Sequence, residues 1–150
     1  MMPASKKRVL FVCIGNSCRS QMAEGFARTL GSDVMIAASV GLAPAAEVAA
    51  HTLRAMNEKK IDLRDHFPKS IRQLGRADFD LVINMTGFFL PKEFKGRIVD
   101  WEVADPVLME YAEHCEIRDT IEELVMKLIL ELRAAPRPQF RGQGSGRLEL

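Results

Sequence analysis

Cysteine is scarce in this chain: there are three in 150 residues. An odd, small number argues against a disulfide framework and for a reducing, cytoplasmic setting. Charge of one sign is lacking too. Lys and Arg (21) nearly cancel Asp and Glu (20), for a net charge of +1, so neither nucleic acid nor a membrane surface is expected as a partner. No apolar run approaches the roughly 18 residues of a membrane span, and no internal repeat is visible. The first strand follows Met1-Met-Pro-Ala-Ser-Lys-Lys-Arg8 so closely that no separate export segment fits before it. What is left, 47% hydrophobic and 27% charged, is the composition of an ordinary globular chain, long enough for one domain with a real core.

Chemistry concentrates in Val9-Leu-Phe-Val-Cys-Ile-Gly-Asn-Ser-Cys-Arg-Ser20. Val9–Val12 reads as a buried strand, Gly15-Asn16-Ser17 as a tight turn, and Met22, Phe26 and Leu30 as the apolar stripe of a helix. Cys13 therefore ends a strand and Arg19 opens a helix. The amides of Ile14, Gly15, Asn16, Ser17, Cys18 and Arg19 can curl around one point before the helix N-terminus. Unpaired N–H groups and the positive end of the helix dipole make that point an anion site. A thiol so placed, next to a guanidinium, is a nucleophile in waiting. Arg19 offers a planar fork for two oxygens of a tetrahedral anion. Ser20 can hydrogen-bond the sulfur, and Asn16 tolerates the left-handed backbone that the turn requires. The plain alternative is a strand–turn–helix with an incidental cysteine.

Along the rest of the chain, 33–39 reads as a second strand and 45–59 as an amphipathic helix. A loop at 61–66 and a short helix at 70–74 follow. Strands are expected at 79–85 and 97–100, with one or two helical turns at 87–94 between them. After the loop 101–110 comes the longest helix, 111–133, with Ile117, Ile121, Leu124, Val125, Leu128 and Leu132 on one face and Glu116, Arg118, Glu122, Glu123 and Lys127 on the other. Alternating strands and helices, with apolar strands, predict an α/β fold: a single domain with a parallel sheet covered by helices on both faces. Such sheets bind ligands beyond the carboxyl ends of their strands, where the Cys13 loop lies. Residues 1–6 read as an extension and 7–133 as the catalytic domain. Residues 134–150 read as a flexible tail, or one resting on the body or a neighbour through Phe140, Leu148 and Leu150.

The filled motif Cys13-Ile-Gly-Asn-Ser-Cys-Arg-Ser20 resembles the phosphate loop of low-molecular-weight protein tyrosine phosphatases and their thioredoxin-coupled arsenate reductase relatives. The resemblance covers about residues 7–133 and implies a four-stranded parallel sheet in a Rossmann-like three-layer sandwich. It implies Cys13 as nucleophile, Arg19 as the oxyanion holder and Asp105, in Asp105-Pro106, as general acid. Pro106 also holds Asp105 extended, which suits a side chain standing over a pocket. Ser39 and His66 match residues that brace the loop asparagine. For Cys18 two roles stay open: bracing the loop as a small buried side chain, or capturing an oxidised Cys13 as a disulfide. Zinc at Cys13-x4-Cys18 lacks a second ligand pair, so no metal and no cofactor is expected. His51 and His114 read as helix-surface residues and Cys115 as structural.

Two departures matter. Val107 and Leu108 follow Asp105-Pro106 where eukaryotic-type phosphatases place tyrosines, and Leu42 stands where the facing loop carries an aromatic. The third-strand region Leu81–Leu90 also lacks the two cysteines through which the thioredoxin-coupled reductases pass oxidation outward. The expected activity is hydrolysis of a phosphomonoester, on a phosphorylated protein or a small molecule, through a phosphocysteine. The alternative is arsenate reduction with an external low-molecular-weight thiol such as mycothiol or glutathione. A phosphate-binding regulatory module without turnover is the third reading.

Overall fold

Four consecutive apolar residues, Val9 to Val12, are all fully buried and form the heart of the first strand. The computed structural model describes residues 5–76 and 78–135. Strand β1 (Lys7–Cys13) leads to helix α1 (Arg19–Leu30), then β2 (Met35–Gly41), α2 (Ala50–Asn57), α3 (Ile71–Leu74), β3 (Asp78–Asn84), β4 (Lys95–Asp100) and α4 (Tyr111–Ala134). The sheet order is β2-β1-β3-β4 and every pairing is parallel. Parallel neighbours bring all four carboxyl ends to one edge, so Cys13, Gly41, Asn84 and Asp100 end there together.

One sheet face carries the larger core. Phe11, Met22, Phe26, Met56, Ile83, Ile121, Val125 and Ile129 are buried there, with α1, α2 and α4 covering it. Every residue of α1 from Arg19 to Ala27 is buried, because α4 packs over it. On the other face Leu10, Val12, Val40, Phe79, Val82 and Phe94 meet Ile71 and Leu74 of α3, a helix of one turn closed by a Ser70–Gln73 capping box. Among the described residues no helix is long and apolar enough to cross a membrane.

Several boundaries and faces differ from the expectation. The helix expected over 45–59 shrinks to Ala50–Asn57, because the N–H groups of Ala45 and Ala49 are committed to carbonyls of the Cys13 loop at 2.9 and 3.2 Å. The second strand starts and ends two residues late. The 87–94 segment forms no helix; Gly87 has φ of +82° and Pro91 lacks the N–H that a turn needs. Leu30 is partly exposed at the end of its stripe, and the outer strand β4 is largely exposed. On α4, Arg118 is buried rather than on the wet face. Its head donates to the Ala55 carbonyl, Glu58 and Asp119, so its charge is paired while its stem is covered. His114, expected on the surface, is fully buried. The terminal readings for residues 1–4 and from 136 onward, with Phe140, Leu148 and Leu150, lie outside the described residues.

Candidate active site

The loop from Cys13 to Arg19 owes its shape to what its carbonyls do. Those of Cys13, Ile14, Gly15 and Ser17 accept from the N–H groups of Leu42, Ala43, Ala45 and Ala49, at 2.8 to 3.2 Å. With its carbonyls turned outward to that strap, the loop keeps its own amides for the inside. Asn16 takes φ of +50° at the bend. The strap comes so close at Gly41 that a Cβ there would meet the Ile14 carbonyl oxygen at 2.6 Å and the Asn16 nitrogen at 2.7 Å. Gly41→Ala is therefore expected to push the two backbones apart, costing about 1–3 kcal/mol of stability and weakening phosphate binding. Denaturant unfolding with and without phosphate measures both, and an unchanged phosphate dependence would show that the loop does not depend on this contact.

Cys13 is nearly buried, and its sulfur lies 2.9 Å from Ser20 Oγ. The direction of that bond follows from a buried chain of partners. The Lys69 backbone N–H donates to Asn16 Oδ1 at 3.0 Å, which fixes the amide so that Nδ2 faces the two serines. Nδ2 donates to Ser20 Oγ at 2.7 Å and to Ser39 Oγ at 3.0 Å. Ser39 Oγ in turn donates its hydroxyl hydrogen bond to Glu24 Oε1 at 2.5 Å. Ser20, already accepting from Asn16, has its hydroxyl proton free for the sulfur. A sulfur that receives an O–H donor is the arrangement a nucleophilic thiolate uses.

His66 joins through Gln21. Its Nδ1 donates to Gln21 Oε1 at 3.0 Å, and Gln21 Nε2 donates to Asn16 Oδ1 at 3.1 Å. Burial holds His66 below the usual imidazole range, so the neutral ring is the donor to Gln21 at neutral pH. Ser39 and His66 are thus brought to Asn16, the one directly and the other through Gln21.

Arg19 is buried and anchored by a single nitrogen. Nη1 donates to the Met85 carbonyl at 2.5 Å and the Val103 carbonyl at 3.0 Å, so the ends of β3 and of the 101–110 loop hold the guanidinium. Nη2 lies 3.4 Å from Asp105 Oδ2. Buried Nε makes no hydrogen bond, which leaves part of the fork unspent for an anion. Asp105 is half-exposed and accepts the Val107 N–H at 3.1 Å. Cys13, Arg19 and Asp105 therefore converge at one edge of the sheet. Among the described residues, no three His, Cys, Asp or Glu side chains gather as a metal site.

Several residues of this network were not legible as such. Glu24 lies four residues after Ser20 on α1 and so shares its face, a signal available once Ser20 is placed. Gln21, the Lys69 amide and the two carbonyls that grip Arg19 carry no side-chain motif. Thr52 and His114 meet at 3.0 Å in a buried contact between α2 and α4 that no spacing announces.

A strand, a loop with its thiol at one end and a buried arginine opening the next helix together make up the candidate site. The sequence model of the low molecular weight phosphotyrosine protein phosphatase family matches residues 8–137, and the chain belongs to that family of cysteine-dependent enzymes. It is 35% identical over 130 residues to a glutaredoxin arsenate reductase of Synechocystis sp., covering 84% of this chain and 98% of the relative. It is 32% identical over 126 residues to arsenate reductase 1 of Staphylococcus epidermidis, covering 80% and 93%. A solved arsenate reductase in its phosphate-binding state superposes with a TM-score of 0.77 at 35% identity, over 84% of this chain and 98% of that one. The YwlE arginine phosphatase of Geobacillus stearothermophilus gives 0.73 at 25% identity, over 85% and 93%.

Proposed function

We propose that this chain reduces arsenate at Cys13, with thiols supplied from outside the chain. The reading rests most on the pairing of one sulfur, hydrogen-bonded to Ser20, with an unspent N–H of the buried arginine that closes the same loop. The names of the relatives at 32–35% identity support arsenate as that anion. Cys13 sulfur attacks arsenic, the loop amides of residues 14–19 and Arg19 hold the oxygens, and Asp105 protonates the departing hydroxide. Ser20, held by Asn16, steadies the sulfur, while Ser39 and His66 keep Asn16 in place.

The residues at the mouth favour a small substrate over an aromatic one. Val107 and Leu108 are exposed after Asp105-Pro106, and neither can stack on a phosphotyrosine ring. The last residue of β3 and the two after it read Asn84-Met85-Thr86, without a thiol, so electrons are to be supplied by a donor outside the chain. The name of the Synechocystis relative couples arsenate reduction to glutaredoxin, which fits such a donor. All three cysteines are free, which suits the reducing cytoplasm as its place of work.

Hydrolysis of a phosphomonoester, on protein or small molecule, is the second reading. It is favoured by Asp105 standing 3.4 Å from Arg19, where it can serve a leaving group, and by the likeness to an arginine phosphatase. Both readings use the same sulfur, and one pair of assays separates them. Arsenate-dependent consumption of glutathione, with and without glutaredoxin, is measured beside turnover of para-nitrophenyl phosphate. Reduction that saturates with arsenate is the expected result; brisk phosphatase turnover with no arsenate-dependent thiol loss would replace the first reading with the second.

A further inference from the structure

Helix α1 covers β1 and β2, and α4 packs in turn on α1 and α2. The outermost strand, β4, lies at the far side of the sheet, so the same face is covered only in part over β3 and β4. Across those two strands Leu81 pairs with Arg97 and Ile83 with Val99, and Trp101 follows two residues later on the same side. On α4, Leu124 and Leu128 stand one turn apart on one side of the helix. Between helix and strands lies a groove of about 310 Å³, lined by Leu81, Ile83, Val99, Trp101, Leu124 and Leu128. Three of these, Leu81, Ile83 and Leu128, are buried and form its floor; the others are half-buried.

The rim carries charge. Arg97 of β4 and Lys127 of α4 border the groove from its two walls, with Glu131 one turn beyond Lys127. All three are exposed. Among the described residues none of them has an oppositely charged group within 4.0 Å. Two cations and one carboxylate leave the mouth with an excess of positive charge over an apolar floor. A ligand that answers both has a hydrocarbon body and an anionic head. A tetrahedral oxyanion has nothing to set on the floor, so the groove does not duplicate the Cys13 loop.

We propose that the groove between α4 and strands β3 and β4 binds a small apolar monocarboxylate, its chain against Trp101 and its carboxylate held by Arg97 and Lys127. Size and charge select this occupant. The volume is at the low end for small-molecule sites, so a short chain fits better than a long one. A second copy of the chain laid on this face would add two more cations against one more carboxylate, and like charges would oppose the contact.

The site stands apart from the reaction at Cys13. Trp101 opens the loop that carries Val103 and Asp105, and its ring centroid lies 5.9 Å from that of Phe11. None of the lining residues belongs to the Cys13 loop, so the proposal holds whichever oxyanion that loop takes.

Trp101 is the only tryptophan in the chain, so its fluorescence reads the groove directly. Octanoate is the probe. It is titrated into the full chain under saturating phosphate, which keeps its carboxylate out of the Cys13 loop. The fluorescence should change and saturate with a Kd of about 0.1–1 mM. Octanol, with the same chain and no charge, should bind about five- to tenfold more weakly. Arg97→Gln combined with Lys127→Gln should abolish that preference, while phosphate affinity keeps its wild-type value. Val99→Phe should fill the floor and weaken both ligands about tenfold or more. Phosphate binding reports that this variant is folded, and if it is not, the surface double substitution still decides. Octanoate should leave the sedimentation of the chain unchanged.

Fluorescence unmoved by octanoate up to ~10 mM would overturn the proposal. So would octanol binding as tightly as octanoate, or an octanoate affinity that survives the double substitution. A dimer that octanoate dissociates would assign the groove to a second copy and overturn it as well.

Discussion

Cys13→Ser is expected to lower arsenate-dependent thiol consumption and para-nitrophenyl phosphate turnover by on the order of 10⁴-fold or more, while oxyanion binding survives. The two halves of that result have separate causes. Binding is the work of amides and a guanidinium. The loop carbonyls stay committed to the 42–49 strap, Arg19 stays gripped by Met85 and Val103, and a serine hydroxyl is smaller than the thiol it replaces. Chemistry is the work of sulfur alone. A hydroxyl at this position is a far poorer nucleophile near neutral pH, and oxygen cannot form the disulfide by which electrons reach arsenic. Steady-state kinetics and calorimetric titration with phosphate measure the two halves. Turnover within tenfold of wild type would remove Cys13 from both mechanisms at once.

Arg19→Lys is expected to cost about 10²–10³ in kcat and to weaken oxyanion binding as well. The charge is kept, so any loss reports geometry. The guanidinium spends Nη1 on two carbonyls and still has Nη2 beside Asp105 and Nε unspent. One ammonium cannot satisfy the Met85 and Val103 carbonyls and also present two parallel N–H groups to the anion. Either the carbonyls are left unpaired in a buried place or the anion loses its fork, and both outcomes destabilise the charged transition state. Unchanged kcat and phosphate affinity in the Arg19→Lys variant would mean that charge alone holds the ligand.

Much of this arrangement was legible because it is local. Strand, loop and helix from Val9 to Phe26 are set by residue type and spacing, so Cys13, Arg19 and the curl of amides between them could be read from the chain alone. The parallel sheet followed from apolar strands separated by helices. Less legible was everything that depends on two distant segments meeting. Residues 45–49 have helical periodicity, yet two of their amides serve the Cys13 loop, and that commitment outweighs propensity. Periodicity alone turns the polar residues of α4 toward water, because nothing in the sequence signals what covers them. Arg118 is buried because Ala55 and Glu58 on the α2 side and Asp119 beside it take its donors, and His114 because it meets Thr52. The amphipathic pattern predicts which face turns inward only on average; a buried polar side chain with a partner on another helix is invisible to it.

The substrate is the least legible feature, since phosphate and arsenate present nearly the same tetrahedron to the same donors. The step common to both readings can still be tested without choosing between them. Inorganic phosphate labelled with ¹⁸O is incubated with the protein and its isotope content followed by mass spectrometry. If Cys13 sulfur attacks the bound anion's central atom, each reversal of the thiophosphoryl bond exchanges a labelled oxygen for one from water. Wild type should then wash out the label steadily while Cys13→Ser leaves it untouched; label retained by wild type, or lost equally from the serine variant, would contradict the account.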